Sequence, residues 1–452
     1  MNKFINFPYK KVLVLGLAKS GFATANVFNR HKIDLVVNDL SAEESDPLVQ
    51  KLKEKNIKVV LGSHPLELLE DIDLIVKNPG IPYSNDLLLE ASKRGIPIIT
   101  EIELTYHLLD KQTLIGITGS NGKTTTTSLV REMFKEGKKD IVTAGNIGTV
   151  SIEVVEDLNP EDNLLLELSS FQLQGTKTFK PDIAAILNLY EAHIDFHGSF
   201  LKYSEAKANI FKNQTKDEFL VYNYDDYQVT KAVQKSEATL VPFSIKTAVK
   251  EGAWRDERSI YFRDEQIIEI KDIVLVGDHN LSNILAAVAI AKLKNVDTQS
   301  IQNVLKTFSG VKHRLEFVGM KQGRYFYNDS KATNILATEQ ALKAFQSPTI
   351  LLAGGLDRGD DFSPLIPLFK NVKSLVLFGE TKEKLAQIGK KAGIKDIFLV
   401  DTMKEAVEKA YKQSNQSDVI LLSPACASWD QYKTFEERGN LFIESIKTLT
   451  EI

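Results

Sequence analysis

One cysteine in 452 residues, Cys426, excludes an intrachain disulfide and any cysteine-built zinc site. With no histidine close to it in sequence, Cys426 reads as a small buried residue rather than a nucleophile. No run approaches the roughly 18 apolar residues of a membrane-crossing helix. Basic excess is missing too: 56 Lys and Arg against 60 Asp and Glu leave a net charge of −4, so neither nucleic acid nor an anionic membrane is expected as a partner. The chain has no short-period repeat and no low-complexity linker. Met1–Leu17 holds lysines and an apolar stretch, but Val12–Leu17 is too short for a secretory signal and reads as a first strand entering a glycine turn. A cytoplasmic protein is the expectation.

What is there is alternation of short apolar runs with helical patterns, which predicts parallel sheets covered by helices. At about 150 residues per domain the length predicts two to four domains, and three α/β blocks are read. Block 1–110 has strands at Val12–Leu15, Leu35–Val37, Leu74–Val76 and Ile96–Ile99, with a helix near Phe22–Arg30. Block 111–310 has strands at Leu114–Ile117, Asn163–Leu166 and Ile183–Asn188, a hairpin of Ser259–Phe262 with Gln266–Ile270, and an apolar helix over Leu281–Leu293. Block 311–452 has strands at Arg324–Asn328, Thr349–Ala353, Ser374–Phe378 and Val419–Leu422. The expected class is α/β in three domains, each a largely parallel sheet with helices: Rossmann-like, then a P-loop-type ATPase, then Rossmann-like again.

The most informative motif is Gly119-Ser120-Asn121-Gly122-Lys123-Thr124-Thr125, directly after a short apolar strand. A strand feeding a glycine turn and then a helix offers backbone N–H groups to phosphate oxygens, with Lys123 for the β- and γ-phosphates and Thr124 for a metal. The usual spacing wants glycine at 117, where this chain has Ile117, so the turn is a compact variant. ATP is the expected ligand.

Other polar groups sit at strand ends. Gly16-Leu-Ala18-Lys19-Ser20-Gly21 almost matches a dinucleotide fingerprint, Asp39 ends the next strand near where a ribose is usually met, and Asn78-Pro79-Gly80 lies at another strand end. A nucleoside diphosphate fits there, and NAD stays open. Glu167, following a buried strand, suits a Mg²⁺ ligand, and Asn146 lies in a polar loop. His193 and His197 in Asn188-x4-His-x-Asp-x-His suggest zinc without a third soft ligand, or a structural pair. On spacing alone Lys207 is one lysine on an amphipathic helix. The last block adds His313-Arg314, Asn328-Asp329-Ser330-Lys331-Ala332-Thr333, Gly354-Gly355 with Arg358, and a run from Ser423 through Ser428 to Phe435. Arg314 could neutralise a transferring phosphoryl group and Asp329 could meet a ribose.

Taken in order, the motifs G-S-N-G-K-T-T, E-L-S-S-F-Q-L, N-x4-H-x-D-x-H, H-N-x-x-N, H-R-L-E, N-D-S-K-A-T-N and G-G-x5-D-F resemble the Mur ligase family of peptidoglycan synthesis, from Val12 to Gly439. The run L-S-P-A-C-A-S-x-D-Q-Y looks like the D-glutamate-adding branch. That resemblance implies an ATP-dependent amide ligase that adds D-glutamate to UDP-N-acetylmuramoyl-L-alanine through an acyl phosphate. It implies two Mg²⁺ ions, small-molecule partners only, and a monomer. By motif matching, Lys123, Lys207 and His193 are catalytic, and Thr124, Glu167, His193 and Lys207 lie at the metals, Lys207 as a carbamylated lysine. Residues Gly119 to Thr125 with Asn283, Arg314 and Asp329 would bind ATP. The UDP sugar would meet Gly16, Ala18, Lys19, Ser20, Asp39, Asn78, Pro79, Gly80, Asn146 and Ser169. D-Glutamate would meet Lys331, Thr333, Arg358, Ser428 and Phe435. Ala192, Arg358 and Leu40 depart from the family pattern, Arg358 replacing a lysine whose reach differs. The alternatives are a sibling muramyl ligase, a folylpolyglutamate-synthase-like enzyme, a nicotinamide oxidoreductase on the first turn alone, and a plain P-loop kinase.

Overall fold

The structure, a computed structural model, describes residue 4 and residues 7–449; residues 1–3, 5–6 and 450–452 of the first and last blocks lie outside them. It comprises two compact units, Met1–Ile270 with Ser282–Val304, and Lys271–Leu281 with Leu305–Ile452. Three sheets are distributed over them.

The first unit holds two sheets. One runs β1 (Lys11–Leu15), β2 (Asp34–Asp39), β3 (Lys58–Leu61), β4 (Leu74–Lys77) and β5 (Ile98–Ile99) in spatial order β3-β2-β1-β4-β5, all parallel. Strand order reverses between β1 and β4, so the crevice at their carboxyl ends lies between the Gly16 turn and Asn78. The expected strand at Ile96–Ile99 is shorter than read, because only Ile98 and Ile99 pair with β4.

The second sheet has β6 (Thr113–Thr118), β7 (Ile141–Gly145), β8 (Asn163–Glu167), β9 (Ile183–Ile186), β10 (Phe219–Asn223), β11 (Thr239–Ser244), β12 (Ala253–Arg255), β13 (Ser259–Phe262) and β14 (Glu265–Glu269). Its order is β14-β13-β12-β11-β10-β9-β6-β8-β7, parallel except for the β12–β13–β14 meander, which contains the expected hairpin. Strand β6 is central, with β8 and β9 on either side. The two sheets share one continuous apolar core, with Val12, Val76, Leu166 and Ile186 among its members. Two buried carboxylates reinforce it: Glu156 takes Arg30, the last residue of the helix Lys19–Arg30, and the capping His31, and Glu103 accepts the N–H groups of Lys177, Thr178 and Phe179. The helix Asp278–Leu293 is apolar all round from Ile284 to Ala291 and fully buried there, as its composition predicts.

The second unit holds β15 (Glu316–Lys321), β16 (Arg324–Asn328), β17 (Thr349–Gly354), β18 (Val372–Phe378), β19 (Asp396–Leu399) and β20 (Val419–Leu422), ordered β15-β16-β20-β17-β18-β19. Only β15–β16 is antiparallel. The loops that leave β16, β20 and β17 therefore emerge side by side at one edge, and all the expected third-block motifs except His313-Arg314 sit on them or just beyond.

Candidate active site

The phosphate loop leaves β6 and ends in the helix Lys123–Glu136. Gly122 caps that helix in a left-handed conformation, φ +82°, and a Cβ there would lie 2.1 Å from Asn283 Oδ1. Both constraints demand glycine, and the second explains why Asn283 belongs to the loop although it lies far along the chain. Asn188, just past β9, fastens the other side: its Oδ1 accepts the Asn121 N–H at 2.8 Å and its Nδ2 donates to the Asn121 carbonyl at 3.1 Å. Ser120 Oγ is bound by the Tyr190 N–H and by Tyr203 Oη. Lys123 folds over the loop, its Nζ donating to the Gly119 carbonyl at 2.8 Å and the Ser120 carbonyl at 3.1 Å.

Alanine at 122 is expected to raise the KM for ATP at least tenfold and lower the melting temperature, since the left-handed conformation alone costs an L-residue about 1–2 kcal/mol and Asn283 must also retreat. Gly62→Ala is the control: it has φ +76° with nothing within 4 Å of a Cβ, so it carries strain without displacement. Equal kinetics for the two variants would remove the Asn283 contact from the account.

Glu167 ends β8 opposite Ile117 of β6, two residues before the loop begins. The side chain is buried; Oε1 accepts the Asn146 amide at 2.9 Å, while Oε2 has no hydrogen-bond partner. Such a carboxylate oxygen is costly unless something positive meets it. The burial of Lys207 corrects only the reading from spacing alone, of one lysine on an amphipathic helix. Lys207 is 2% exposed, not solvated, because the helix Phe200–Ala208 turns it inward onto the loop. Its Nζ donates to the Gly119 carbonyl at 2.9 Å and Thr118 Oγ1 at 3.3 Å and lies over the Tyr203 ring. Burial holds the amine well below the ordinary lysine value, Lys123 pushes it further down, and Glu167 pulls it back.

His193 is exposed and adopts a left-handed φ of +54°, uncommon for a residue with a Cβ. Its ring packs against Phe171, as does that of His197. His197 is buried with Nε2 3.0 Å from Ser170 Oγ, and burial lowers its pKa, with His193 and Lys207 adding to the effect. Among the described residues no three His, Cys, Asp or Glu side chains converge as a metal cage. The oxygen donors at the loop instead suit a cation that shares its shell with phosphate: the Thr124 hydroxyl and the open oxygen of Glu167.

Beside this loop a cavity of about 500 Å³ opens within the first unit. Its wall includes seven residues named from the sequence as sugar-nucleotide contacts: Ala18, Lys19, Ser20, Asn78, Pro79, Asn146 and Ser169. Asn78 bridges the turn, donating to Ser20 Oγ at 3.0 Å and accepting the Gly80 N–H. Gly16, at φ +95°, leaves room for it: a Cβ would fall 2.8 Å from Asn78 Cβ. Gly16, Gly80 and Asp39 do not line the cavity. Burial pulls the Asp39 carboxyl up, but the N–H groups of Leu17, Ala42 and Ser41 outweigh it and leave the pKa lowered, so this side chain clamps two loops. Ser169 caps the helix Ser170–Leu173 in a reciprocal pair with Gln172.

In the second unit, Asp329 accepts the Leu315 N–H at 3.0 Å and the Ser423 hydroxyl at 2.9 Å. Burial raises its carboxyl to about 7 against those hydrogen bonds and the nearby Arg314 charge. Lys331 lies over the Phe435 ring and the exposed Arg358 over Trp429, while Ser428 is buried and Thr333 half-buried. Sequence reasoning missed Arg438. Fully buried, it donates to Ser330 Oγ and the carbonyls of Ser330, Cys426 and Gly354, tying the loops after β16 and β20 to the end of β17. Cys426 is buried as expected, its thiol pushed up to about 11 by that burial.

Three family models match the chain: a Mur ligase MurD-like N-terminal domain over residues 10–100, a Mur ligase middle domain over 117–291, and a Mur ligase, glutamate ligase domain over 313–426. The UDP-N-acetylmuramoylalanine--D-glutamate ligase of Oceanobacillus iheyensis is 55% identical over 449 residues, covering 99% of this chain and 100% of that protein. The ligase of the same name from Bacillus thuringiensis is 54% identical over 450 residues, again 99% and 100%. Among solved structures, UDP-N-acetylmuramate-alanine ligase MurC of Thermotoga maritima has the same fold, with a TM-score of 0.58 at 18% identity over 97% of this chain and 99% of that one. MurF ligase of Thermotoga maritima, solved in complex with ADP, gives 0.57 at 18% identity over 91% and 95%.

Proposed function

The chain belongs to the Mur ligase family, and we propose that it joins D-glutamate to the L-alanyl carboxylate of UDP-N-acetylmuramoyl-L-alanine, with conversion of ATP to ADP and phosphate, in cytoplasmic peptidoglycan precursor synthesis. The end-to-end relatives carry that reaction in their names. Within the molecule, the observation that carries it is the gathering of Lys123, Lys207 and the open oxygen of Glu167 at one phosphate loop beside the cavity. No helix among the described residues is long and apolar enough to cross a membrane.

Residues 1–110 hold the UDP sugar, 111–310 hold ATP, and 311–452 bring D-glutamate. The substrate carboxylate attacks the γ-phosphorus, the bond to the β-γ bridging oxygen breaks, and ADP leaves. The D-glutamate amine then attacks the acyl phosphate carbon, loses a proton, and inorganic phosphate departs from the tetrahedral intermediate. Loop N–H groups and Lys123 hold the β- and γ-phosphates through the first step. Asn283 fixes the loop's far side, and Arg314 and Asp329 are the nucleotide contacts assigned to residues 311–452. Magnesium, at two sites when bound, neutralises charge developing on the transferring phosphoryl group and the acyl oxygen. Thr124, Glu167, His193 and a carbamylated Lys207 are its proposed holders, with Asn146 orienting Glu167. Lys331, Thr333, Arg358, Ser428 and Phe435 orient D-glutamate, Arg358 reaching its carboxylate as a planar fork. The protein acts as a monomer.

A nicotinamide reading of the first turn leaves Glu167, Lys207 and the phosphate loop without work. The direct test is phosphate release from ATP with Mg²⁺ and UDP-N-acetylmuramoyl-L-alanine, offering D-glutamate, L-glutamate, L-alanine, L-lysine or diaminopimelate. Release is expected with D-glutamate alone. Release driven by another amino acid would reassign the third domain, and release without any would point to a kinase or plain ATPase.

A further inference from the structure

Glu101 opens the helix Glu101–Leu108, is almost wholly buried, and borders the cavity. None of the ligase chemistry above uses it. Its Oε1 accepts the Gln172 side-chain amide at 3.2 Å; its Oε2 is buried without a hydrogen-bond partner. The nearest cation does not fill that role by hydrogen bonding. Lys77, itself buried, gives its Nζ to the carbonyls of Asn78, Pro79 and Ile81, at 3.2, 3.1 and 2.8 Å, and acts on Glu101 through charge. Lys77 thus stiffens the loop that carries Asn78 and Pro79 into the cavity, while Glu101, a wall residue, keeps one buried acceptor without a hydrogen bond. Burial lifts the Glu101 carboxyl to about 7, with Gln172, the N–H groups of Ile102 and Glu101 at the helix start, and Lys77 pulling it back, though neither N–H meets Oε2 in hydrogen-bond geometry, so an ionised acceptor is available near neutral pH.

We propose that Glu101 is a substrate-contacting residue whose free oxygen accepts a hydrogen bond from an N–H or hydroxyl in the sugar–peptide half of the UDP-linked substrate. The inference rests on the reading of this cavity as the UDP-sugar site. The half is chosen by connectivity. Glu101 is bonded to Gln172, Gln172 is locked to Ser169, and Ser169 stands with Asn146 on the wall nearest Glu167, where the reacting carboxylate must come.

Calorimetric binding of UDP and of UDP-N-acetylmuramoyl-L-alanine to the full-length protein and to Glu101→Gln tests this. Glutamine can still accept from Gln172 through its oxygen, but its NH₂ then faces the substrate's donor. The expected result is a Kd for UDP-N-acetylmuramoyl-L-alanine raised roughly 10- to 100-fold, the range for losing a hydrogen bond to a charged group. The Kd for UDP, the KM for ATP and the melting temperature stay unchanged. Glu101→Asp, which keeps the charge on a shorter arm, gives a smaller loss with the same selectivity and serves if the glutamine variant does not fold. Unaltered binding in the variants would overturn the assignment, and so would equal weakening of UDP and the UDP sugar, which marks a purely structural carboxyl. If the unsubstituted protein binds neither ligand, the cavity reading itself fails; if it binds both and the variants match it, only the role of Glu101 fails.

Discussion

Glutamine in place of Glu167 is expected to slow ADP formation at least about a hundredfold while leaving the fold as stable as before or more so. The two halves of that expectation have one cause. Glu167 is buried at the end of β8 with Oε2 unpartnered, so in the isolated chain its charge is held at a cost. Removing the charge relieves the cost, and the amide still accepts or donates to Asn146. On the proposed metal role the same charge would attract the cation in the reacting complex, and metal stabilisation of a phosphoryl group is worth several kcal/mol at about 1.4 kcal/mol per decade of rate. Measured against Mg²⁺ concentration, the variant should need far more metal and still not reach the original rate. A variant with the original rate and the original Mg²⁺ dependence would remove Glu167 from the metal site. One that merely unfolds at lower temperature would make it a structural carboxylate.

The buried strands were legible because fully covered parallel strands are apolar through their middles, as β1, β6, β8, β17 and β20 are. What escaped were strands whose signal is diluted. β11 contains Pro242, which argues against a paired strand, yet Pro242 is in register with Tyr222. β12 has three residues. The β15–β16 hairpin turns through Gln322 and Gly323, at φ +48° and +77°, a two-residue left-handed turn that glutamine does not advertise as asparagine would. The site divides the same way. Gly122, Lys123 and Asn146 follow from local spacing, since loop geometry is written in neighbouring residues. Burial of charged groups is not local. Lys77, Glu101, Lys207 and Arg438 look like ordinary surface residues in a helical or strand pattern, and only packing against a distant segment turns each inward. The second unit makes the point most clearly: Arg438 ties two loops to the end of β17 through four donor contacts with Ser330, Cys426 and Gly354, and nothing around Glu437-Arg438-Gly439 announces it.

Lys207 is where that limit matters most for chemistry. A buried amine whose hydrogen bonds go to a carbonyl and a hydroxyl, with Lys123 nearby, is driven toward its neutral form, and the neutral form is the one that attacks CO₂. On the proposed role, carbamylation would replace an unwelcome cation with an anion able to meet magnesium. Lys207→Arg cannot follow, because its guanidinium stays charged and does not form the carbamate. The expected loss is on the order of 10²–10³-fold in rate, comparable to removing a preorganised electrostatic group. Lys207→Ala should lose as much but recover partly with added acetate or formate, which can occupy the vacated space. With ¹³C-bicarbonate the unsubstituted protein should give a carbamate resonance that both variants lack, and CO₂-depleted buffer should slow it reversibly. The sign of the pH dependence is fixed by the direction of the shift. Native Lys207 is neutral above its depressed pKa while the unfolded chain still binds the proton, so stability rises with pH between that value and the ordinary lysine pKa of about 10.4. Activity should fall as pH drops through the depressed value, since protonation releases CO₂ and returns a cation to the site. Full activity in CO₂-free buffer with no carbamate signal would leave Lys207 as a plain amine bound to the Gly119 carbonyl, and the metal site would have to be built from Thr124, Glu167 and His193 alone.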